Sequence, residues 1–144
     1  SSHVGVVRGG VLEVLGCETV GDRAPGGGAW LEGLEVHQSR VSIENCVTQG
    51  SGSPGGALFV SMSMLFSSES TVAVDQTGTL GDGSPGGGLA GGVLTIVSGV
   101  QVSLVNTTTS GDHSHGGGIS TCLATVDGSL AVYNSATAGR ASPG

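Results

Sequence analysis

Aliphatic residues recur at every second position in five short runs: Leu12 and Val14, Val41 and Ile43, Val72 and Val74, Val102 and Leu104, Leu130 and Val132. Alternation with period two marks a half-buried β-strand, whose successive side chains face opposite ways. Each run leads directly to one slot, filled by Gly16, Asn45, Gln76, Asn106 and Asn134. A second set of strands is predicted around Ala29 and Leu31, Leu58 and Val60, Leu89, and Ile119. A third is predicted around Leu34 and Val36, Met62 and Met64, Leu94 and Ile96, and Leu123. No stretch carries the 3.6-residue period of an amphipathic helix.

Between these runs one tract occurs five times, at residues 16–26, 45–55, 76–86, 106–116 and 134–144. Each copy holds a Thr (Thr19, Thr48, Thr79, Thr109, Thr137), then a Gly (Gly21, Gly50, Gly81, Gly111, Gly139), and closes on a Gly preceded by Pro25, Pro54, Pro85, His115 or Pro143. The copies start 29, 31, 30 and 28 residues apart, so length changes fall outside the tract. The constant tract reads as a corner of dictated backbone conformation. Insertions are expected in looser turns near residues 32–38, 64–70, 98–101 and 127–129. Three short strands and glycine turns in about 30 residues describe one turn of a solenoid that buries its side chains by stacking on its neighbours. A β-propeller blade needs four strands and about 40 residues, more than the period offers. The expected fold is all-β, a right-handed parallel β-helix of about five turns over residues 1–144, forming a single segment of a longer repeat array.

The runs Gly116-Gly117-Gly118-Ile119, Gly86-Gly87-Gly88-Leu89, Gly55-Gly56-Ala57-Leu58, Ser42-Ile43-Glu44-Asn45-Cys46 and Ala131-Val132-Tyr133-Asn134-Ser135 carry a resemblance. They are similar to right-handed parallel β-helix repeats of autotransporter passengers, polymorphic outer-membrane proteins and large Gly-rich surface proteins. The resemblance spans essentially the whole chain and implies an extracellular or cell-surface scaffold. It says little of activity, because a fold does not dictate function.

Composition narrows the partners. The chain has 144 residues, no Lys, four Arg against eleven carboxylates and a formal charge of −7. Nucleic acid is not an expected partner, because neutralising phosphates takes Lys and Arg. No apolar run approaches the roughly 20 residues of a membrane-spanning helix. Expected partners are neighbouring repeats or subunits, through the open ends of the solenoid, together with protein or glycan at the variable turns.

Candidate chemistry is sparse. Asn45, Gln76, Asn106 and Asn134 are expected to stack as a polar ladder inside a turn, where amides satisfy buried backbone groups. Asn106-Thr107-Thr108 is also a glycosylation sequon, presentable only if Asn106 faces outward. The Thr column invites an ice-binding reading, but a hydroxyl bonded to nearby backbone explains a Thr in a Gly-rich corner better. Asp22, Asp82 and Asp112 share a slot and read as solvated turns. His113 and His115 lack a third strong ligand. Cys17 and Cys46 hold equivalent places in adjacent turns, which makes them a disulfide candidate, with a small buried residue as the competing reading. Glu32 and Glu35 beside Trp30 are the nearest approach to a catalytic pair. No catalytic, cofactor or metal residue is expected, and the chain reads as a non-enzymatic scaffold or spacer. Two alternatives compete with it: a carbohydrate-active β-helix whose active site lies elsewhere, and an ice- or mineral-binding β-helix.

Overall fold

The computed structural model describes residues 4–141. Each turn of the chain lays down three strands. The first gives β1 (Val4–Arg8), β2 (Val11–Leu15) and β3 (Glu18–Val20). The second gives β4 (Ala29–His37), β5 (Arg40–Glu44) and β6 (Val47–Gln49), and the third β7 (Leu58–Ser67), β8 (Thr71–Asp75) and β9 (Gly78–Thr79). The fourth gives β10 (Leu89–Ile96), β11 (Gln101–Val105) and β12 (Thr108–Ser110), and the last β13 (Ile119–Val126), β14 (Ser129–Tyr133) and β15 (Ala136–Ala138). There is no helix among the described residues.

Equivalent strands pair in parallel, forming three five-stranded sheets: A (β1-β4-β7-β10-β13), B (β2-β5-β8-β11-β14) and C (β3-β6-β9-β12-β15). The chain is a parallel β-solenoid of about four turns. Sheets A and B hold the apolar core. Leu34, Val36, Met64, Phe66, Leu94 and Ile96 from A meet Val41, Ile43, Val72, Val74, Val102 and Leu104 from B, all buried. The alternating runs of the sequence are therefore the strands of sheet B.

Two of the predicted strand sets need redrawing. The second and third sets are the two halves of the long sheet A strands. Inward positions change phase within β4 and β10, from Leu31 to Leu34 and Val36 and from Leu89 to Leu94 and Ile96, whereas β7 sets three outward residues, 61–63, between inward Val60 and Met64. The bend coincides with a register shift: β7 has one more residue than β4 between the pairs Leu31↔Val60 and Gly33↔Ser63. That extra residue is a bulge, which bends a strand and re-aims its side chains. Met62, predicted inside beside Met64, is accordingly 66% exposed, and Leu123 is 58% exposed on the outer face. The true third strand lies within the constant tract, where Thr19, Thr48, Thr109 and Thr137 are the middle residues of β3, β6, β12 and β15. The tract is thus a sharp turn, a very short strand and a Gly loop. Of the expected looser turns, 64–70, 98–101 and 127–129 overlap the breaks that follow β7, β10 and β13, whereas 32–38 falls almost wholly within β4, and part of the length variation sits in the β7 bulge.

The corner between sheets B and C uses one backbone conformation in every turn. Gly16, Asn45, Gln76, Asn106 and Asn134 have φ between 50° and 63°, the left-handed region. Asn tolerates it better than most residues and Gly adopts it freely, whereas Gln pays the full steric cost of about 1 kcal/mol. Gln76→Gly is expected to raise stability by up to about 1 kcal/mol in urea denaturation; a loss would mean that the Gln76 side chain makes a contact worth more than the relieved strain.

Candidate functional site

Sheet C turns hydroxyls inward where sheets A and B turn aliphatics. Thr48, Thr79 and Thr109 are buried. Their hydroxyls donate to nearby carbonyls: Thr48 Oγ1 to Ser53 O at 2.8 Å, Thr79 Oγ1 to Ser84 O at 2.6 Å, and Thr109 Oγ1 to Gly116 O at 3.4 Å. Thr19 does the same towards Gly26 O at 3.3 Å. The column therefore pins each Gly loop onto its own strand. With its hydroxyls turned inward, it presents no face for ordering water.

The Gly column beside it is required by stacking. A Cβ at Gly50 would lie 2.5 Å from Gly21 O, at Gly81 2.0 Å from Gly50 O, at Gly111 2.4 Å from Gly81 O and at Gly139 2.1 Å from Gly111 O. The last tract's closing residues, Pro143 and Gly144, lie outside the described residues.

A second hydroxyl ladder, unremarked in the sequence, runs through the same loops. Ser53, Ser84 and Ser114 are fully buried. Ala24 N–H donates to Ser53 Oγ at 3.0 Å, Ser53 N–H to Ser84 Oγ at 2.9 Å and Ser84 N–H to Ser114 Oγ at 2.9 Å. Each hydroxyl in turn donates to the carbonyl of Gly21, Gly50 or Gly81 in the preceding turn, at 2.9 to 3.0 Å. The only sequence signal was the recurrence of Ser before the Pro or His. Asp22, Asp82 and Asp112 are more than solvated. Asp22 Oδ1 accepts from Ser51 N–H at 2.9 Å, Asp82 Oδ1 from Asp112 N–H at 2.8 Å and Asp112 Oδ1 from Arg140 N–H at 2.7 Å.

The predicted polar ladder exists as a column but not inside the turn. Asn45, Gln76, Asn106 and Asn134 are all exposed. Asn134 Nδ2 donates to Asn106 Oδ1 at 3.3 Å, and Asn106 Nδ2 to Asp75 Oδ1 at 3.0 Å. The left-handed residue turns outward at the corner, and the residue after it turns in. The sequon at Asn106 is consequently on the surface.

Those following residues are Cys17, Cys46, Thr77, Thr107 and Ser135. The disulfide considered for Cys17 and Cys46 is not formed; both are free thiols. Each thiol is directed at backbone: Cys17 Sγ at Leu15 O (3.7 Å), Cys46 Sγ at Glu44 O (3.4 Å) and Val14 O (3.9 Å). Burial pushes the Cys46 thiol up to about 11, with a smaller contribution from the charge of neighbouring Cys17. Thiolate is the reactive form, so Cys46 is inert while folded. Timed maleimide labelling of the native chain is expected to modify exposed Cys122 first and to reach Cys46 only after unfolding; early modification of Cys46 would contradict its buried place.

The outer face of sheet A is the most sculpted surface. Trp30, Phe59, Ala90 and Ser120 stand in register along it. The first two are aromatic, and the last two leave room. Beside Phe59, where the strand bends at Gly91 and Gly92, lies an open, mostly apolar cleft of about 240 Å³, walled by Pro54 and Pro85 and bordered by Ser61 and Cys122. Glu35 and His37 lie farther along the same face, with His37 Nε2 3.3 Å from Glu35 Oε2. Of Glu32 and Glu35, the nearest approach to an acidic pair in the sequence, Glu35 lies against His37. His113 and His115 are exposed in the loop after sheet C. Among the described residues no three His, Cys, Asp or Glu side chains converge as a metal site, and no helix is long and apolar enough to cross a membrane.

No family model, curated protein or solved structure matches this chain.

Proposed function

We propose that this chain is a rigid structural scaffold or spacer, a right-handed segment of a larger surface or extracellular repeat protein of the autotransporter-passenger and polymorphic outer-membrane type. Its outer turns and the sheet A cleft would contact protein or glycan. The observation that carries the reading is the continuous stacking of equivalent strands and loops, which the bulge in β7 offsets by one residue without breaking. Three parallel sheets, the Thr column, the Ser ladder and the stacked Gly loops all run along one axis without interruption. Stiffness follows, because bending the axis must stretch several of these columns together. Strand edges at both outer turns would favour stacking on neighbouring repeats or subunits.

The alternatives draw less support. An ice or mineral binder needs outward hydroxyls in a regular array, and the Thr column is internal. A carbohydrate-active enzyme needs clustered carboxylates, whereas Asp22, Asp82 and Asp112 are engaged with backbone N–H groups.

Rigidity is measurable by pulsed electron spin resonance between labels at Gly10→Cys and Asp127→Cys. The background would carry Cys17→Ser, Cys46→Thr and Cys122→Ser, replacements already found in equivalent places of the column or at a surface site. A single narrow distance distribution is expected. A broad distribution would overturn the spacer reading.

A further inference from the structure

Folding brings together three groups on the outer face of sheet A that no sequence motif joins. Glu35 and His37 alternate with the buried Leu34 and Val36 on β4. Ser67, 30 residues beyond His37, is the last residue of β7 and its direct register partner. Ser67 Oγ lies 2.6 Å from His37 Nδ1, and His37 Nε2 lies 3.3 Å from Glu35 Oε2. When Ser67 donates to Nδ1, the ring proton sits on Nε2 and is donated to Glu35. A hydroxyl, an imidazole that accepts its proton and a carboxylate that fixes the tautomer form the order of groups that activates a serine. The two ring nitrogens exchange places relative to the common serine-hydrolase arrangement.

The chain after Ser67 supplies a second element. Ser68 and Glu69 both have φ of 57°, a tight turn. Their N–H groups donate to no acceptor among the described residues. A nucleophile at a strand end, followed by unoccupied N–H groups, is a layout in which a developing oxyanion can be held. The turn is fixed from beneath: buried Ser70 donates from Oγ to Ser67 O at 2.6 Å. The His37 side chain is 25% exposed and that of Glu35 44%, so a substrate can approach from solvent.

We propose that Ser67, His37 and Glu35 form an acyl-transfer site for small carboxylic esters presented at the outer face. Ser67 Oγ forms a bond to the ester carbonyl carbon as its proton passes to His37 Nδ1. The carbon–oxygen bond to the leaving alcohol breaks, and that alcohol takes the proton from His37. Water then attacks the acyl-serine, again giving its proton to Nδ1. The carboxylic acid leaves, and the proton returns to Ser67 Oγ. Ser67 and His37 are the catalytic residues, and Glu35 is a positioning residue.

The test uses the purified chain with p-nitrophenyl acetate, comparing wild type with Ser67→Ala, His37→Gln and Glu35→Gln, each variant's fold being checked by circular dichroism. Turnover with acetyl trapped on Ser67 by peptide mass mapping is expected. Ser67→Ala and His37→Gln should each lower the rate by about 100-fold. Glu35→Gln should lower it by less while still allowing acetylation of Ser67. A Ser67→Ala variant as fast as wild type would overturn the proposal, as would a wild type no faster than buffer. A fluorophosphonate probe keeps the test independent of variant folding: labelling of wild-type Ser67 supports the site, and none refutes it.

Discussion

Gly87→Ala is expected to lower the unfolding free energy by about 4 kcal/mol or more, a large share of the roughly 5–15 kcal/mol that holds a domain folded. The added Cβ would lie 2.1 Å from Thr108 O and 2.4 Å from Gly117 O, both backbone atoms that cannot rotate away. Gly87 is not in the left-handed region, so its φ suits alanine. The entire cost is therefore steric. Gly83→Ala is the matched control. Its φ is +63°, but a Cβ there meets nothing within 4 Å, so the loss should be only about 1 kcal/mol. Urea denaturation of the two variants separates close approach from backbone conformation, and equal losses would refute the crowding at Gly87.

Ser84→Ala is expected to cost about 3 kcal/mol in the same measurement. Ser84 Oγ accepts from Ser53 N–H at 2.9 Å and donates to Gly50 O at 3.0 Å, bridging two turns from a fully buried position. Alanine fills the space but abandons both backbone groups, each with a desolvation penalty of about 1–3 kcal/mol. A loss below about 1 kcal/mol would mean that water replaces the hydroxyl and the ladder adds little.

Much of the fold was legible because a solenoid repeats its demands. The alternation at Val41 and Ile43, Val72 and Val74, and Val102 and Leu104 gave sheet B, and the glycines gave the loops. Met62 shares the alternation of Val60 and Met64 yet faces outward, because the bulge in β7 puts three outward residues between them and leaves no mark in the sequence. The Asn column was read as internal, although its residues were chosen for left-handed φ at an exposed corner. The Thr column was taken for a corner because a three-residue strand is too short to show a period. The Ser ladder and the Ser67–His37–Glu35 cluster were least visible. Each depends on which residues of different turns come to the same height.

The sequence by itself determined the period, the parallel stacking and the positions where only glycine fits, since each of these recurs in every turn and local chemistry repeats with it. The tertiary structure alone decided which side of the wall each residue faces and which residues of successive turns touch. Those facts depend on register, and in β-structure a shift of one residue exchanges inside for outside.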